Sequence, residues 1–259
     1  MFKKLILLDF DGVVIDGIEE YWYSSVLACK SYLQSKQISD NINSNMKVPE
    51  IFQELRPYVK YGWEMVLITH EILKRNEPLC DNNKREFLTN YKTKCIETLK
   101  KNNWSSEKLQ TSLDRSRNNQ IFTDLEKWIK LHKPFNEVLR FMQKAKGLDL
   151  KTGIISTKEE KFTSMILKNI NVSTDMIFGY KSGNKIDILR KLTKEYKIIC
   201  FLEDRKQTLI EIINDSQTSV VPCFLAEWGY LKESDKYNLP TSINLLKLKD
   251  LEEILANSI

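Results

Sequence analysis

The sequence predicts an α/β protein, a doubly wound parallel sheet with an all-helical domain inserted after its first strand. Two observations lead to this prediction. In the C-terminal half, short apolar runs typical of strands buried on both faces alternate with segments of helical periodicity. Between the first apolar run and residue 132, helical spacing dominates and strand-like runs are missing. Strands that alternate with helices are typical of parallel sheets covered by helices.

Four apolar runs are predicted to be strands of this sheet, and polar residues close each of them. The runs are LILL before Asp9, TGII before Ser156 and Thr157, IICFL before Glu203 and Asp204, and VVPCFLA before Glu227. Ligands of such sheets bind beyond the carboxyl ends of the strands. We therefore expect Asp9, Ser156 and Asp204 to converge, although they are far apart in sequence.

Amphipathic helices are predicted between the last three strands, in KFTSMILKNI, KIDILRKLTKEY and KQTLIEIIND. In the inserted region, TDLE at 123–126 is typical of a helix start, and SRNNQ at 116–120 is expected to form a loop. The predicted domains are an α/β core of residues 1–16 and 133–259 and a helical domain of residues 17–132.

Composition excludes several classes of protein. The 259 residues are 42% hydrophobic and 29% charged, which is typical of a globular chain. The net charge of +5 comes from scattered lysines, so nucleic-acid binding is not expected. No apolar run reaches the length of a membrane span or a signal peptide. Five cysteines without CxxC spacing indicate a reducing compartment, so we expect a cytoplasmic protein without a membrane partner. The oligomeric state cannot be read from the sequence.

Asp9 and Asp11 point to phosphoryl-transfer chemistry. Because an unpaired buried carboxylate is costly, two of them after a buried strand indicate a metal ion or a positive charge nearby. One carboxylate can attack phosphorus, while the second protonates the leaving oxygen and then deprotonates water. Gly12 follows where the chain must turn without a side chain obstructing the substrate.

Phosphoryl transfer also needs positive charge around the equatorial oxygens of the phosphate. Asp9, Asp204 and Glu203 offer the oxygen ligands that Mg²⁺ prefers. Lys185, at a predicted helix start, is a candidate for a fixed cation, and Ser156 is a candidate hydrogen-bond donor to the phosphate.

The stretch DFDGVVID resembles the first signature of the haloacid dehalogenase superfamily, DxDGT/VxxD. The resemblance extends over the predicted core. Ser156 occupies the place of the family's phosphate-binding serine or threonine, Lys185 that of its lysine, and Glu203–Asp204 that of its acidic metal-binding motif. This resemblance implies a Rossmann-like core, and it implies that the insertion at 17–132 is a helical cap of the C1 type.

The resemblance also implies roles for these residues. Asp9 would be the nucleophile and Asp11 the general acid/base, assisted by Ser156 and Lys185. The phosphate would be bound by Gly12, Ser156, Thr157 and Lys185. The Mg²⁺ cofactor would be held by Asp9, Asp204, Glu203 and the backbone carbonyl of Asp11.

Two departures from the family pattern leave assignments open. The fourth motif is Glu-Asp instead of Gly-Asp, and Thr208 stands where the pattern GDxxxD has its second aspartate, so the second acidic ligand is open. Lys181 competes with Lys185, which is favoured because an apolar helix begins directly after it. Lys158 is a third candidate and is expected to be solvated.

The expected function is an Mg²⁺-dependent phosphatase that acts on a small phosphorylated metabolite through an aspartyl-phosphate. Asp11 favours this function, since dehalogenases of the superfamily lack an aspartate there. A phosphomutase keeps the same pair of carboxylates and is one alternative. A catalytically silent binding or regulatory protein is another. In the insertion, Arg56, Trp63 and Glu64 are weak candidates for substrate contacts, and a packed helix-turn-helix is the favoured interpretation of their segment.

Overall fold

The chain forms two compact units in a computed structural model that describes residues 2–33, 37–38 and 47–256. The first, which we call the α/β unit, consists of Met1–Asp16 and Lys133–Ile259. The second, the helical unit, consists of Gly17–His132. Parts of the predicted helical domain, residues 34–36 and 39–46, lie outside the described residues.

Six parallel strands form the central sheet of the α/β unit, and two short strands form a separate antiparallel pair. In chain order they are β1 (Lys3–Leu8), β2 (Ile15–Asp16), β3 (Lys133–Pro134), β4 (Lys151–Ile155), β5 (Met176–Phe178), β6 (Tyr196–Glu203), β7 (Cys223–Ala226) and β8 (Ile243–Leu246). The sheet has the order β5-β4-β1-β6-β7-β8, and β2 pairs with β3. The predicted parallel sheet is therefore confirmed.

The strand order reverses beside β1. From β1 the chain passes to β4 and β5 on one side, then returns to β6, β7 and β8 on the other side. Such a reversal opens a crevice at the carboxyl ends of the strands, where ligands bind in doubly wound sheets. Leu5, Ile6, Leu7 and Leu8 in β1 are fully buried, as expected for a central strand.

The described part of the helical unit contains six α-helices. They are α1 (Ile18–Leu27), α2 (Glu50–Leu55), α3 (Gly62–Leu73), α4 (Asp81–Thr89), α5 (Tyr91–Lys101) and α6 (Ser106–Lys130). Their apolar faces share a core that includes Trp22 and Phe52, whose rings meet edge to face at 5.1 Å. Among the described residues, no helix has the length and apolar character needed to cross a membrane.

Two predictions fall within α6, and one of them needs correction. The loop expected at 116–120 is wrong, because this segment is helical and Ser116, Arg117 and Gln120 are buried. Arg117 and Gln120 contact polar partners on α1 rather than solvent, and the Ser116 hydroxyl accepts a hydrogen bond from Gln120 within α6. The helix start predicted at 123–126 is present within α6. Asp124 has a non-helical backbone and accepts a hydrogen bond from the Lys127 N–H at 2.9 Å, so a kink there begins the helical segment that holds Trp128.

Helices of the α/β unit flank its sheet. They are α7 (Asn136–Gly147), α8 (Glu160–Asn169), α9 (Lys185–Glu195), α10 (Lys206–Ile213) and α11 (Leu251–Ala256). The three helices predicted from periodicity correspond to α8, α9 and α10. Ile188, Leu189 and Leu192 of α9 share one apolar core with Leu5 and Leu7 of β1. Because these helices return the chain from strand to parallel strand, they bring the polar strand ends to one edge of the sheet.

Candidate active site

Three buried carboxylates meet at the carboxyl ends of β1 and β6. Asp9 follows β1, Glu203 ends β6, and Asp204 comes next. Their ligand oxygens lie within 4.8 Å of one another. The strands bring them together, because Leu8 pairs with Leu202 and the Asp9 N–H donates to the Leu202 carbonyl at 2.8 Å.

Lys185 is the lysine that lies beside this cluster. It is the first residue of α9, and its Nζ is 2.9 Å from Asp9 Oδ1 and 2.6 Å from Glu203 Oε2. The competing Lys181 pairs with Glu159 at 2.6 Å, and its side chain is 66% exposed. The structure therefore places Lys185, and not Lys181, next to Asp9.

Burial shifts the ionisation of both partners. It raises the pKa of Asp9 from 3.8 to about 6; Lys185 opposes this rise and the neighbouring Glu203 adds to it. Burial alone would lower the pKa of Lys185, but the carboxylates of Asp9 and Glu203 more than offset it, so this pKa lies above its usual value. Lys185 is thus a permanent cation, whereas Asp9 is a carboxylate held in its ionised form at a cost.

Lys158 is fully buried, so the expectation that it is solvated is wrong. Its Nζ lies 3.2 Å from Oδ1 of Asp11, whose side chain is 5% exposed. The turn after β4 directs the lysine inward, because the Lys158 N–H donates to Ser156 Oγ at 3.0 Å. Three residues later, Lys161 has a side chain that is 49% exposed. Sequence spacing carries no signal that separates these two lysines.

Ser156 and Thr157 follow β4, the neighbour of β1 in the sheet. Leu8 pairs with Ile154, so the chain leaves β4 close to the level at which Asp9 leaves β1. Ser156 is buried, and its N–H donates to the Phe178 carbonyl at 2.8 Å. Thr157 is half-buried. The phosphate-binding roles of both residues stay predictions.

Two glycines let Asp204 approach the turn after β1. Gly12 has φ +93°, and a Cβ there would lie 1.9 Å from Asp204 Oδ2. A Cβ on Gly229 would lie 2.3 Å from the Cβ of Asp204. Any larger residue at either position would displace Asp204, so both must be glycine. Sequence reasoning identified Gly12 but missed Gly229.

Tyr230 is another residue that the sequence analysis missed. Its N–H donates to Asp204 Oδ2 at 2.9 Å, and its hydroxyl donates to Asp16 Oδ1 at 2.6 Å. It therefore fixes the orientation of one member of the carboxylate cluster and joins it to β2. The motif WGY after β7 was the available signal, but nothing in its spacing indicates these contacts.

The three candidates in the helical unit have structural partners there. The Arg56 guanidinium lies over the Tyr21 ring at 5.7 Å, and Trp63 packs against the helical core. Glu64 accepts hydrogen bonds from the Lys60 N–H at 2.9 Å and the Tyr91 hydroxyl at 3.0 Å. A role of these residues in substrate binding stays a prediction.

The charges of the site fit a divalent cation. Asp9, Asp11, Glu203 and Asp204 outnumber Lys158 and Lys185, which leaves an excess of two negative charges when all six are ionised. Buried carboxylates require compensation, and an all-oxygen donor set suits Mg²⁺. Asp9, Glu203 and Asp204 are close enough together to hold one ion.

Solved structures share the architecture over the whole chain. A predicted phosphatase from Clostridium acetobutylicum has a TM-score of 0.60 at 14% identity, with 99% of this chain and 100% of that chain covered. A haloacid dehalogenase-like family hydrolase from Streptococcus pneumoniae has a TM-score of 0.56 at 14% identity, with 99% of both chains covered. The chain has the haloacid dehalogenase fold.

The haloacid dehalogenase fold does not by itself decide the reaction. Protein Tyrosine Kinase A of Mycobacterium tuberculosis is similar to this chain with a TM-score of 0.57 at 13% identity, over 98% of both chains. No protein-family model and no curated protein match the sequence. Because one fold carries many functions, the activity must be argued from the site.

Proposed function

We propose that the protein is an Mg²⁺-dependent phosphatase that hydrolyses a small phosphorylated metabolite through an aspartyl-phosphate. The observation that carries the proposal is the buried pairing of Asp9 with Lys185 at the switch point of the sheet. Asp11, two residues further on, supplies a second acid that pairs with a different lysine. A nucleophile and an acid/base held separately are what two-step phosphoryl transfer requires.

In the first step, a carboxylate oxygen of Asp9 forms a bond to phosphorus as the bond from phosphorus to the leaving oxygen breaks. Asp11, protonated at this stage, gives its proton to the leaving oxygen, so an alcohol departs. Lys185 keeps Asp9 ionised for attack and lies where charge builds up on the phosphoryl oxygens.

In the second step, water attacks the phosphorus of the aspartyl-phosphate and the bond to Asp9 breaks. Asp11, now a carboxylate, takes a proton from the water and returns to its acid form. The sum is one phosphate ester and one water converted to one alcohol and one inorganic phosphate. In this proposal Gly12, Ser156 and Thr157 contact the phosphate.

Asp9, Glu203, Asp204 and the backbone carbonyl of Asp11 would hold the metal ion. When bound, Mg²⁺ supplies positive charge next to the phosphoryl oxygens. The pairing of buried Asp9 with Lys185 supports the aspartyl-phosphate route in this proposal, because the cation favours the ionised carboxylate. All five cysteines are free, and we infer the cytoplasmic location that the sequence predicts.

We expect the purified protein to release inorganic phosphate from 4-nitrophenyl phosphate, and from members of a panel of metabolite phosphates, only when Mg²⁺ is present. Asp9→Asn removes the nucleophile, so the rate should fall by at least about 10⁴-fold, in the range found when a catalytic nucleophile is lost. Phosphate release at several Mg²⁺ concentrations measures both effects.

Asp149→Asn is the matched control. Asp149 is an exposed aspartate before β4, at the opposite end of the strand from the site, and Asn tolerates its φ of +54°. This variant should keep the wild-type rate. Turnover that survives Asp9→Asn would show that another group is the nucleophile. No turnover with any phosphate ester would favour a binding protein on this fold.

A further inference from the structure

Lys158 is a buried ammonium group that the proposed reaction does not yet use. Its side chain is 0% exposed, and its Nζ lies 3.2 Å from Oδ1 of Asp11. Lysine is almost never fully buried unless it is paired, and removing each ion of such a pair from water costs several kcal/mol. A buried ion pair is weak evidence for a role in stability, so its place at the site calls for another explanation.

The backbone around Lys158 is fixed on both sides. Its N–H donates to Ser156 Oγ at 3.0 Å, and its carbonyl accepts from the Tyr180 N–H at 3.3 Å. A glycine closes the packing, since a Cβ on Gly179 would lie 2.8 Å from the Lys158 carbonyl oxygen. The lysine therefore starts from a rigid turn at the carboxyl end of β4, and its Nζ reaches Asp11 in the turn after β1.

Asp11 lies beyond the end of β1, next to Gly12, so the regular strand does not fix its side chain. A different rotamer of Asp11 would carry its carboxyl group away from the reacting oxygens. Lys185 contacts Asp9 and Glu203, and Lys161 and Lys181 contact Glu159. Of these lysines in the α/β unit, Lys158 is the one placed to hold Asp11.

We propose that Lys158 is a positioning residue that orients the Asp11 carboxyl group for proton exchange with the leaving oxygen and with the attacking water. The inference rests on the proposed function, since it concerns the acid/base of that reaction. Lys158 acts through Asp11 and does not itself contact the phosphate. It differs in this respect from Lys185, which pairs with the nucleophile.

The effect of Lys158 should depend on the step. An aryl phosphate has a leaving group that departs without a proton, so formation of the aspartyl-phosphate from 4-nitrophenyl phosphate needs Asp11 little. Hydrolysis of that intermediate needs Asp11 as a base in every case. Lys158→Met should therefore lower kcat by up to about 10²-fold, the lower range for acid–base catalysis. KM should fall in parallel, because the slowed step follows formation of the intermediate, so kcat/KM for this substrate should stay within about threefold of the wild-type value.

The intermediate offers a readout beyond turnover. With 4-nitrophenyl phosphate and Mg²⁺, Lys158→Met should accumulate protein heavier by one phosphoryl group, seen by intact-protein mass spectrometry. Asp11→Asn should accumulate the same species. In the double variant, the intermediate should decay as slowly as in Asp11→Asn alone, because Lys158 has no acid/base left to orient.

Lys161→Met is the matched control, since Lys161 lies on α8 close by and is half exposed. It should keep wild-type kinetics and show no intermediate. Should Lys158→Met not fold, Lys158→Arg carries the test. Arginine keeps the cation with a different geometry, so intermediate decay should slow in the wild-type background and stay unchanged in the Asp11→Asn background.

Three results would overturn the inference while leaving the proposed function intact. Wild-type kcat in Lys158→Met would show that Asp11 needs no such partner. A raised KM with unchanged kcat would show that Lys158 binds the phosphate itself. In the double variant, the intermediate could decay more slowly than in Asp11→Asn by the same factor that Lys158→Met causes in the wild-type background. That result would show that Lys158 acts independently of Asp11. By contrast, no phosphate release by the wild type would overturn the proposed function and this inference with it.

Discussion

Burial of the Asp9 side chain opposes its ionisation. Its side chain is buried, and burial raises its pKa from 3.8 to about 6. A carboxyl group with a raised pKa in the folded state favours folding while it is protonated, and this contribution is lost as the pH rises through the folded-state pKa. At neutral pH without a metal ion, Asp9 therefore works against stability.

We expect Asp9→Asn to be more stable than the wild type at pH 8 in the absence of divalent cations. The gain should be on the order of 2 kcal/mol, because two units of pKa shift correspond to that magnitude. It should shrink as the pH falls from 6 towards 4, where Asp9 is protonated. Chemical denaturation at several pH values in EDTA measures the difference.

Added Mg²⁺ should reverse this order, since an ion that binds only the folded state stabilises the wild type more than the variant, which keeps two of the three clustered carboxylates. Asp149→Asn, which removes an exposed carboxylate, should follow the wild type throughout. A wild type more stable than Asp9→Asn in EDTA at pH 8 would show that Lys185 fully offsets the burial of Asp9.

Residue identities at the site were predictable where a strand end or a helix start carries a signal. Lys185 was favoured because an apolar helix begins there, and it lies 2.9 Å from Asp9. Asp9, Glu203 and Asp204 each follow or end an apolar run, and the structure places them within 4.8 Å of one another.

Lys158 and Tyr230 lie in turns, where no period tells which way a side chain faces. Lys158 is buried because its turn points inward, and contacts with the end of β5 fix that turn, such as the hydrogen bond from the Ser156 N–H to the Phe178 carbonyl. A single sequence does not show such contacts.

At the scale of elements, the hydrophobic pattern of the sequence located the buried strands of the sheet and missed the two strands at its edges. The strands β1, β4, β6 and β7 came from continuous apolar runs. The missed strands β5 and β8 form the two edges of the sheet. Both are short; β5 is half-buried along its length, and β8 is exposed at its two middle residues. The loop wrongly predicted at 116–120 has a different cause. Its polar residues are typical of a solvated loop, but they lie in α6 and three of them are buried.

Those buried polar residues join α1 to α6. The Arg117 guanidinium donates two hydrogen bonds to the Glu20 carboxylate, each at 2.8 Å, and both side chains are fully buried. The Ser24 hydroxyl donates to the same carboxylate at 2.6 Å, and Gln120 donates to that hydroxyl at 2.8 Å. A network in which one acid serves several donors depends strongly on that acid.

We expect Glu20→Gln to lower the free energy of unfolding by about 3 kcal/mol. The substitution removes the negative charge on α1 and leaves the buried guanidinium of Arg117 on α6 without its counter-charge from Glu20. Replacing both partners, Glu20→Leu with Arg117→Met, should recover most of the loss, because no buried charge then remains from the pair. Urea denaturation of the full chain measures both.

Glu126→Gln serves as the control for this series. Glu126 lies on α6, the helix that carries Arg117, and it pairs with Lys130. Both of these side chains are more than two-thirds exposed. Exposed pairs contribute little, so this variant should stay within about 0.5 kcal/mol of the wild type. Equal losses in Glu20→Gln and Glu126→Gln would show that burial of the pair has no energetic weight.

At the scale of the whole molecule, the chain is one unit inserted into another through a two-stranded connection. The α/β unit is built from two segments of sequence, which meet where β2 pairs with β3. Each unit has an apolar core of its own. All side chains assigned here to nucleophile, acid/base and metal lie in the α/β unit. This division predicts that the cluster of Asp9, Glu203 and Asp204 can form without the helical unit.

We expect the α/β unit to fold when residues 17–132 are replaced by Asn-Gly. Asp16 and Lys133 are antiparallel partners, which is the geometry that a two-residue hairpin turn closes, and Asn-Gly favours the turn type that matches strand twist. The shortened chain should unfold cooperatively in urea and bind Mg²⁺ in calorimetry, because Asp9, Glu203 and Asp204 stay on their strands. The same chain with Asp9→Asn should also unfold cooperatively but bind Mg²⁺ more weakly. Loss of cooperative unfolding in both shortened chains would show that the α/β core needs the inserted helices, and that the two cores are one folding unit.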